Sequence, residues 1–208
     1  NKGINLPQSA LSTSAITERD WECVEWALAK GLDYLALSFV RCAEDVRLLK
    51  ERLDRAWREG GAWISVVSKI EMPQAVADLA RIVESSDAVM VARGDLGVEM
   101  DIAQVPVVQK RIVATCAEFG KPVIVATQML ETMIENASPT RAEATDVANA
   151  VFDGADAVML SAETATGKHP PLVVDTMARI LAEAERWQRT NRVGPTTPTR
   201  LAATHRGT

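Results

Sequence analysis

The sequence has few cysteines, few histidines and no long apolar run, and each shortage excludes a class of protein. Cys23, Cys42 and Cys116 are odd in number, widely spaced and form no CxxC pair. We therefore expect buried free thiols rather than a disulfide framework or a zinc site. His169 and His205 both fall in loop-like segments, where we expect solvated residues rather than catalysts.

Membrane and nucleic-acid partners are not expected from the composition. No stretch approaches the roughly 20 apolar residues that span a bilayer, and no charged segment followed by an apolar one opens the chain. We therefore expect a cytoplasmic location. The formal net charge is −5, without a long run of Lys and Arg, which argues against a nucleic-acid partner. Because the chain begins at Asn1 rather than at Met, we expect a piece of a larger protein.

Short β-rich runs alternate with helical patterns along the 208 residues. The runs cover residues 33–40, 63–70, 88–92, 122–127 and 157–161. The helical patterns cover residues 17–30, 43–58, 73–84, 105–119, 140–152 and 170–188. This alternation predicts an α/β fold with about five parallel strands and flanking helices.

Polar residues follow the apolar strands, which favours a barrel. They are Ser38 and Arg41, Lys69 and Glu71, Arg93 and Asp95, Thr127 and Gln128, and Ser161, Glu163 and Thr164. In a (β/α)8 barrel the carboxyl ends of the strands form the face that carries chemistry. No Gly-rich phosphate fingerprint follows any run, which disfavours a doubly wound sheet. We predict a partial TIM barrel over residues 1–189, with residues 190–208 as a linker or disordered tail.

Two motifs at the ends of neighbouring strands indicate a metal and phosphate site. They are Ser68–Glu71 and Ala92–Gly97. Lys69 and Glu71 are two residues apart, so they point to the same side of an extended strand. Glu71 and Asp95 offer the oxygen ligands that Mg²⁺ prefers, and a cation beside them suits a phosphoryl group in transfer. Helix capping or simple solvation remains the alternative for the two acids.

Gly94 and Thr127 are candidate substrate contacts. Glycine lets the backbone approach a ligand closely, and the N–H groups that start a short helical turn can bind a carboxylate. An ordinary tight turn is the alternative. Thr127 places a hydroxyl at the end of the fourth strand, where a substrate proton could be handled.

Six motifs, in order and spacing, resemble pyruvate kinases over roughly residues 1 to 189. They are Lys2–Pro7, Ser68–Glu71, Val91–Gly97, Ala126–Glu131, Pro139–Glu143 with Asp146–Ala150, and Met159–Thr164. The resemblance implies phosphoryl transfer from phosphoenolpyruvate to ADP, which gives pyruvate and ATP in glycolysis.

The resemblance also implies a role for each matching residue. Lys69 would stabilise the phosphoryl group in transit and the enolate left behind. Glu71 and Asp95 would hold Mg²⁺ or Mn²⁺, and the backbone around Gly94 and Asp95 would take the substrate carboxylate. Thr127 would lie near the carbon that is protonated. Ser161 and Glu163 are candidates for the proton path.

The resemblance covers the family's barrel only from its third helix to its eighth. The first three strands, the lid domain and the C-terminal regulatory domain have no counterpart here. Those early strands hold the family's K⁺ ligands and much of its ADP contact, so no residue of this chain is assigned to them. The resemblance implies a homotetramer for the parent protein.

Two other functions remain open at this point. A Mg²⁺-dependent aldolase or lyase of the related barrel superfamily also pairs a Glu after one strand with an Asp after the next, although Lys69 and Ala126–Glu131 favour the kinase. Alternatively, the chain is a non-catalytic barrel fragment. Since three strands would be missing, we expect the isolated chain to be inactive.

Overall fold

The computed structural model describes residues 15–191, and within them five strands alternate with helices. The strands are β1 Tyr34–Leu37, β2 Ser65–Ile70, β3 Ala88–Ala92, β4 Val123–Ala126 and β5 Ala157–Met159. The α-helices are α1 Glu18–Lys30, α2 Ala43–Arg58, α3 Pro73–Ala77, α4 Leu79–Ser85, α5 Arg93–Glu99, α6 Val105–Glu118, α7 Arg141–Asp153, α8 Ala162–Ala165 and α9 Pro170–Asn191. Short 3₁₀ helices cover Ile102–Gln104 and Glu131–Ile134. The predicted α/β class with five strands is confirmed; the Lys2–Pro7 motif, His205 and most of the predicted tail lie outside the described residues.

The five strands form one parallel sheet whose spatial order is the order of the chain, β1-β2-β3-β4-β5. Sequential parallel neighbours joined by helices are the arrangement of a (β/α) barrel, whereas a doubly wound sheet reverses its strand order. The predicted partial barrel is therefore confirmed. Within residues 15–191, β1 and β5 each pair on one side only.

Two helices begin with a reciprocal cap that the chain's local sequence specifies. Thr17 and Asp20 form a capping box at the start of α1, and Thr140 and Glu143 form another at the start of α7. In each box the hydroxyl and the carboxylate accept N–H groups that a helix start leaves unpaired. Gly31 ends α1 at φ 61°, a left-handed conformation that glycine adopts at little cost.

The helix predicted over residues 73–84 is broken in two at Asp78. The Asp78 side chain accepts a hydrogen bond from the backbone N–H of Ala43 at 2.9 Å. It thereby satisfies a donor at the start of α2, which its own flanking residue Cys42 does not cap with a side chain. The contact joins residues 35 apart along the chain, which a local sequence pattern could not predict.

Buried apolar side chains lie on both faces of the sheet, and the smaller of the two clusters within residues 15–191 lies below Lys69. This cluster consists of Val67, Ala88, Met90 and Ala126, with Ile124 and Met159 packed against it. Val67 and Lys69 share a face of β2 because side chains alternate along a strand. Lys69 is thus carried on a buried apolar base, with its ammonium group near the carboxyl end of the strand.

At the opposite end of the sheet, two aspartates fix the start of neighbouring strands. Asp87 accepts a hydrogen bond from the N–H of Val66 at 2.8 Å, and Asp156 accepts one from the N–H of Val123 at 2.8 Å. Each aspartate immediately precedes a strand and binds the strand before it. The amino ends of β2 and β3, and of β4 and β5, are therefore tied by side chains as well as by the backbone ladder.

The cysteines are free thiols, but they are not all buried. Cys116 is buried and Cys42 is partly buried, whereas Cys23 is exposed on α1. The expectation of three buried thiols is wrong for Cys23, because it lies on the solvent side of an amphipathic helix. None of the helices within residues 15–191 is both long and apolar enough to cross a membrane.

Candidate active site

Lys69 and Glu71 meet at the carboxyl end of β2. The Lys69 ammonium group forms an ion pair with Glu71 Oε1 and lies 3.1 Å from the hydroxyl oxygen of Ser38, which follows β1. Lys69 keeps 23% of its side chain exposed, while Glu71 keeps 1%. Lys69 and Glu71 therefore lie on the same side of β2, as predicted. The ammonium group lies toward solvent and the carboxylate lies beneath it.

The Glu71 carboxylate is held from the neighbouring strand by a backbone group. The N–H of Phe39 donates to Glu71 Oε2 at 2.5 Å, and Phe39 has a φ of 54°. A left-handed aromatic residue is uncommon, and such strain is characteristic of functional loops. Glu71 Oε1 is buried and, among the described residues, has the Lys69 ion pair but no aligned hydrogen-bond donor.

Burial raises the pKa of Glu71 above its ordinary value, and the nearby carboxylate of Asp95 raises it further. Lys69 and the Phe39 N–H act in the opposite direction without cancelling the effect of burial. A buried carboxylate whose charged form is disfavoured gains from an additional positive charge. The electrostatics therefore favour a cation bound at Glu71 and Asp95.

Asp95 lies in the first turn of α5, directly after β3. A carboxylate in this position interacts favourably with the positive end of the helix dipole. The helix is anchored by Leu96, which is fully buried. Asp95 is partly exposed, so its side chain remains accessible to a ligand above the sheet.

The hydroxyl of Thr127 receives a hydrogen bond from the backbone N–H of Gly94 at 2.9 Å. This contact joins the ends of β3 and β4. It also occupies the N–H that the sequence assigns to a substrate carboxylate. A Cβ atom added at Gly94 would lie 3.4 Å from Thr127 Oγ1, so glycine keeps the space between the two residues open.

The residues at this face fit a hard divalent cation. No group of three or more His, Cys, Asp and Glu side chains gathers in the described part of the chain, but Mg²⁺ commonly takes only one or two carboxylates from a protein. Glu71 Oε1, buried without an aligned donor, and the partly exposed Asp95 supply two such oxygen donors. These two residues could hold the metal, and water and substrate oxygens would complete its octahedron.

Arg93 is a residue of this face to which the sequence assigns no role. Its guanidinium group donates to the carbonyl oxygen of Thr127 from Nη2 at 2.5 Å and from Nε at 3.2 Å. Its Nη1 contacts both carboxylate oxygens of Asp146, on α7, at 2.9 and 2.7 Å. The sequence indicates only that Arg93 is one of the polar residues that follow the strands. Its contacts could not be predicted, because its partners lie 34 and 53 residues away.

Ser161 and Glu163 lie after β5 and are tied to the loop after β4. Glu163 is fully buried, and its carboxylate accepts the backbone N–H of Ser161 at 2.7 Å and that of Leu130 at 3.2 Å. Ser161 is partly exposed. The arrangement thus presents the serine at the surface of this face and keeps the glutamate beneath it as a link between two loops.

Comparison with known protein families gives one consistent result. The family described as "Pyruvate kinase, barrel domain" matches residues 1–174. Pyruvate kinase of Mycobacterium intracellulare is 55% identical over 185 residues, which cover 89% of this chain and 38% of that protein. Pyruvate kinase of Thermotoga maritima is 50% identical over 185 residues, with 89% and 39% covered.

A solved structure agrees with the sequence comparison. The crystal structure of a pyruvate kinase from Cryptosporidium parvum superposes with a TM-score of 0.83 at 44% identity, covering 88% of this chain and 38% of that one. The chain therefore spans less than two fifths of the length of the curated relatives it matches. On these matches, and on a fold of sequential parallel strands, the chain belongs to the pyruvate kinase family and corresponds to part of its barrel domain.

Proposed function

We propose that this chain carries the phosphoenolpyruvate and metal side of a pyruvate kinase active site. The observation that carries the proposal is the ion pair between the Lys69 ammonium group and the buried carboxylate of Glu71, whose pKa is raised by burial. Family membership supplies the reaction class, which is phosphoryl transfer from phosphoenolpyruvate to ADP. Because the chain spans 38% of its relatives' length, the complete reaction belongs to the parent protein.

Lys69 would act on the charge that moves during the reaction. The bond between the phosphorus and the enol oxygen breaks, and its electron pair remains on that oxygen. A new bond forms from a terminal phosphate oxygen of ADP to the phosphorus, and the enolate then takes a proton at carbon to give pyruvate. A fixed ammonium group beside the enol oxygen would lower the energy of the phosphoryl group in transit and of the enolate left behind.

Glu71 and Asp95 would hold Mg²⁺ or Mn²⁺, which when bound neutralises the negative oxygens of the substrate. The hydrogen bond from Phe39 fixes one Glu71 oxygen and leaves the other directed at Lys69. The carboxylate is thus oriented before any ligand arrives. This preorganisation keeps the free-energy cost of ordering the site low when substrate binds.

Gly94 and Thr127 would receive the reacting half of the substrate. The Gly94 N–H is available to a substrate carboxylate if it exchanges or shares its hydrogen bond with Thr127. Thr127 would then lie beside the carbon that is protonated. Ser161 would carry the proton path toward it, and Glu163 would hold the Ser161 backbone in place.

The remaining partners would be bound by the parent protein. ADP and K⁺ would be held by parts of the relatives that this chain does not cover. The parent would be a cytoplasmic homotetramer. The aldolase or lyase alternative is not favoured, because the matching family, relatives and solved structure are all pyruvate kinases.

A chimera provides the direct test. Residues 1–174 of this chain would replace the matching segment of the Mycobacterium intracellulare relative, and pyruvate formation would be followed with phosphoenolpyruvate, ADP, Mg²⁺ and K⁺. We expect turnover from the chimera, its loss in Lys69→Met and Glu71→Gln, and none above background from the 208-residue chain alone. A folded chimera without turnover would contradict the proposed function, and turnover by the chain alone would contradict its dependence on the parent.

A further inference from the structure

We propose that Arg93 is the positioning residue for Thr127, and that Asp146 orients Arg93 for this task. The inference rests on the function proposed above, since Thr127 matters to chemistry only if substrate binds beside it. Arg93 is the first residue of α5 and directly follows β3. Its side chain is 11% exposed, so the guanidinium group lies under the carboxyl-end face and not in solvent.

The segment that Arg93 holds is strained. Thr127 has a φ of 72° and Gln128 one of 53°, and two consecutive left-handed residues without glycine are unusual. For a β-branched residue such as threonine this conformation is a genuine outlier with a cost in free energy. Contacts from the surrounding structure must offset that cost if the conformation is to persist.

The guanidinium group provides those contacts. Its Nη2 and Nε converge on the carbonyl oxygen of Thr127 at 2.5 and 3.2 Å, and Nε also lies 3.4 Å from the carbonyl oxygen of Ala126. A planar fork with fixed donors can hold a carbonyl group in one orientation, which a flexible lysine ammonium cannot. The direction of the Thr127 peptide group thereby determines where its side chain points, toward the Gly94 N–H at 2.9 Å.

Asp146 holds the other edge of the fork. Both of its carboxylate oxygens contact Arg93 Nη1, at 2.9 and 2.7 Å, and the Asp146 side chain is 36% exposed. The amide oxygen of Gln109 is a third and more distant acceptor of Nη1, at 3.5 Å. With its far edge fixed by α7, the guanidinium group cannot rotate away from the Thr127 carbonyl.

A double-mutant cycle in the active chimera separates positioning from simple stabilisation. We expect Arg93→Lys to lower kcat by about 10- to 100-fold with little change in the KM for ADP, because a displaced catalytic group can cost that much. In a Thr127→Val background the same change should add little, since the group it positions is already lost. Arg52→Lys is the matched control, because Arg52 also holds a carboxylate with two donors, that of Glu25, but on the surface between α1 and α2.

Two kinetic results would overturn the inference. One is an Arg93→Lys chimera with unchanged kcat. The other is an Arg93→Lys change that lowers kcat by the same factor in the Thr127→Val chimera as in the unmutated one, which would indicate a general structural effect. Amide hydrogen exchange at Gly94 provides a second measurement that does not need activity. We expect exchange to be at least about ten times faster in Arg93→Lys than in Arg52→Lys, and equal rates would overturn the inference even if the chimera were inactive. Inactivity of the unmutated chimera, by contrast, contradicts the proposed function alone.

Discussion

The backbone N–H of Phe39 donates to the carboxylate of Glu71 at 2.5 Å, which joins the end of β1 to the end of β2 through a buried charge. The donor lies on a left-handed residue, and the acceptor has a pKa raised by burial. Both are unfavourable for the folded chain without ligand. The pair therefore indicates a site whose geometry is kept at the expense of stability.

Glu71→Gln should stabilise the ligand-free chain at neutral pH. The folded state binds a proton at Glu71 more tightly than the unfolded state does, so the contribution of Glu71 to stability falls as pH rises from about 4 through its raised pKa. Glutamine removes this penalty. We expect the free energy of unfolding of the variant to exceed that of the original chain at pH 7 and the difference to shrink toward pH 4.

Urea unfolding of both chains between pH 4 and 8 would measure this difference. Added MgCl2 should raise the stability of the original chain and leave that of Glu71→Gln unchanged. The free energy of unfolding of the variant minus that of the original chain should be larger at pH 7 than at pH 4. A smaller difference at pH 7 would contradict the sign of the pKa shift.

Lys69→Met should destabilise the chain by about 1–3 kcal/mol at pH 7, because it leaves a buried carboxylate without its charged partner. The loss should decrease at acid pH, where Glu71 is protonated. The double variant Lys69→Met with Glu71→Gln should recover most of the stability. Lys168→Met is the control, since the Lys168–Glu135 pair is exposed and should change stability little. Additive effects at Lys69 and Glu71 would contradict the coupling.

Gly167→Ala should cost about 1–3 kcal/mol through overpacking. A Cβ atom there would lie 2.3 Å from the carbonyl oxygen of Glu163 and 3.3 Å from the Cα of Ile134, both of which belong to the backbone. Gly97→Ala is the matched control, because its Cβ would meet only the side-chain end of Ile102, at 3.1 Å. Thermal unfolding of the two variants checks the prediction, and equal losses would disprove it.

The thiols of Cys23 and Cys116 should differ widely in reactivity. Burial, with a further effect from the carboxylate of Asp156, raises the pKa of Cys116 to about 12, whereas Cys23 is exposed. A thiol-specific disulfide reagent at pH 8 should label Cys23 rapidly and Cys116 only on unfolding. Labelling of Cys116 as fast as that of Cys23 in the folded chain would refute this.

Cys116 should also make stability depend on alkaline pH. The unfolded thiol releases its proton near pH 8.5, while the folded thiol keeps it to about pH 12. The unfolded state therefore becomes more stable relative to the folded state as pH rises above 8.5. The free energy of unfolding of the original chain should therefore fall in this range. Cys116→Val should reduce that slope, and Cys23→Ser should leave it unchanged.

The meeting of Lys69 and Glu71 could be predicted because it depends on local rules. Strand alternation places residues i and i+2 on one side, and parallel strands deliver their ends to one face. Asp95 was identified by the second of these rules. Such inferences need only the strand assignments, which the recurring short apolar runs supply.

Arg93, Asp78 and Cys23 show why the rest could not be predicted. The partners of Arg93 and the Ala43 N–H that Asp78 binds are tens of residues away, and a single sequence carries no signal for such pairs. The exposure of Cys23 depends on which way α1 rotates against the sheet, and the helical pattern fixes that rotation only within a broad stripe.

The aspartates at the amino ends of the strands have a consequence for how the protein can change. Asp87 and Asp156 fix strand alignment at one end of the sheet. Within residues 15–191, three residues that are not glycine have a left-handed conformation, and all three lie at the other end: Phe39, Thr127 and Gln128. We therefore expect that exchange of the loops at the carboxyl ends would leave the register of β2 with β3, and of β4 with β5, unchanged. The barrel segment is, in this respect, a scaffold on which new specificity could be engineered from one side only.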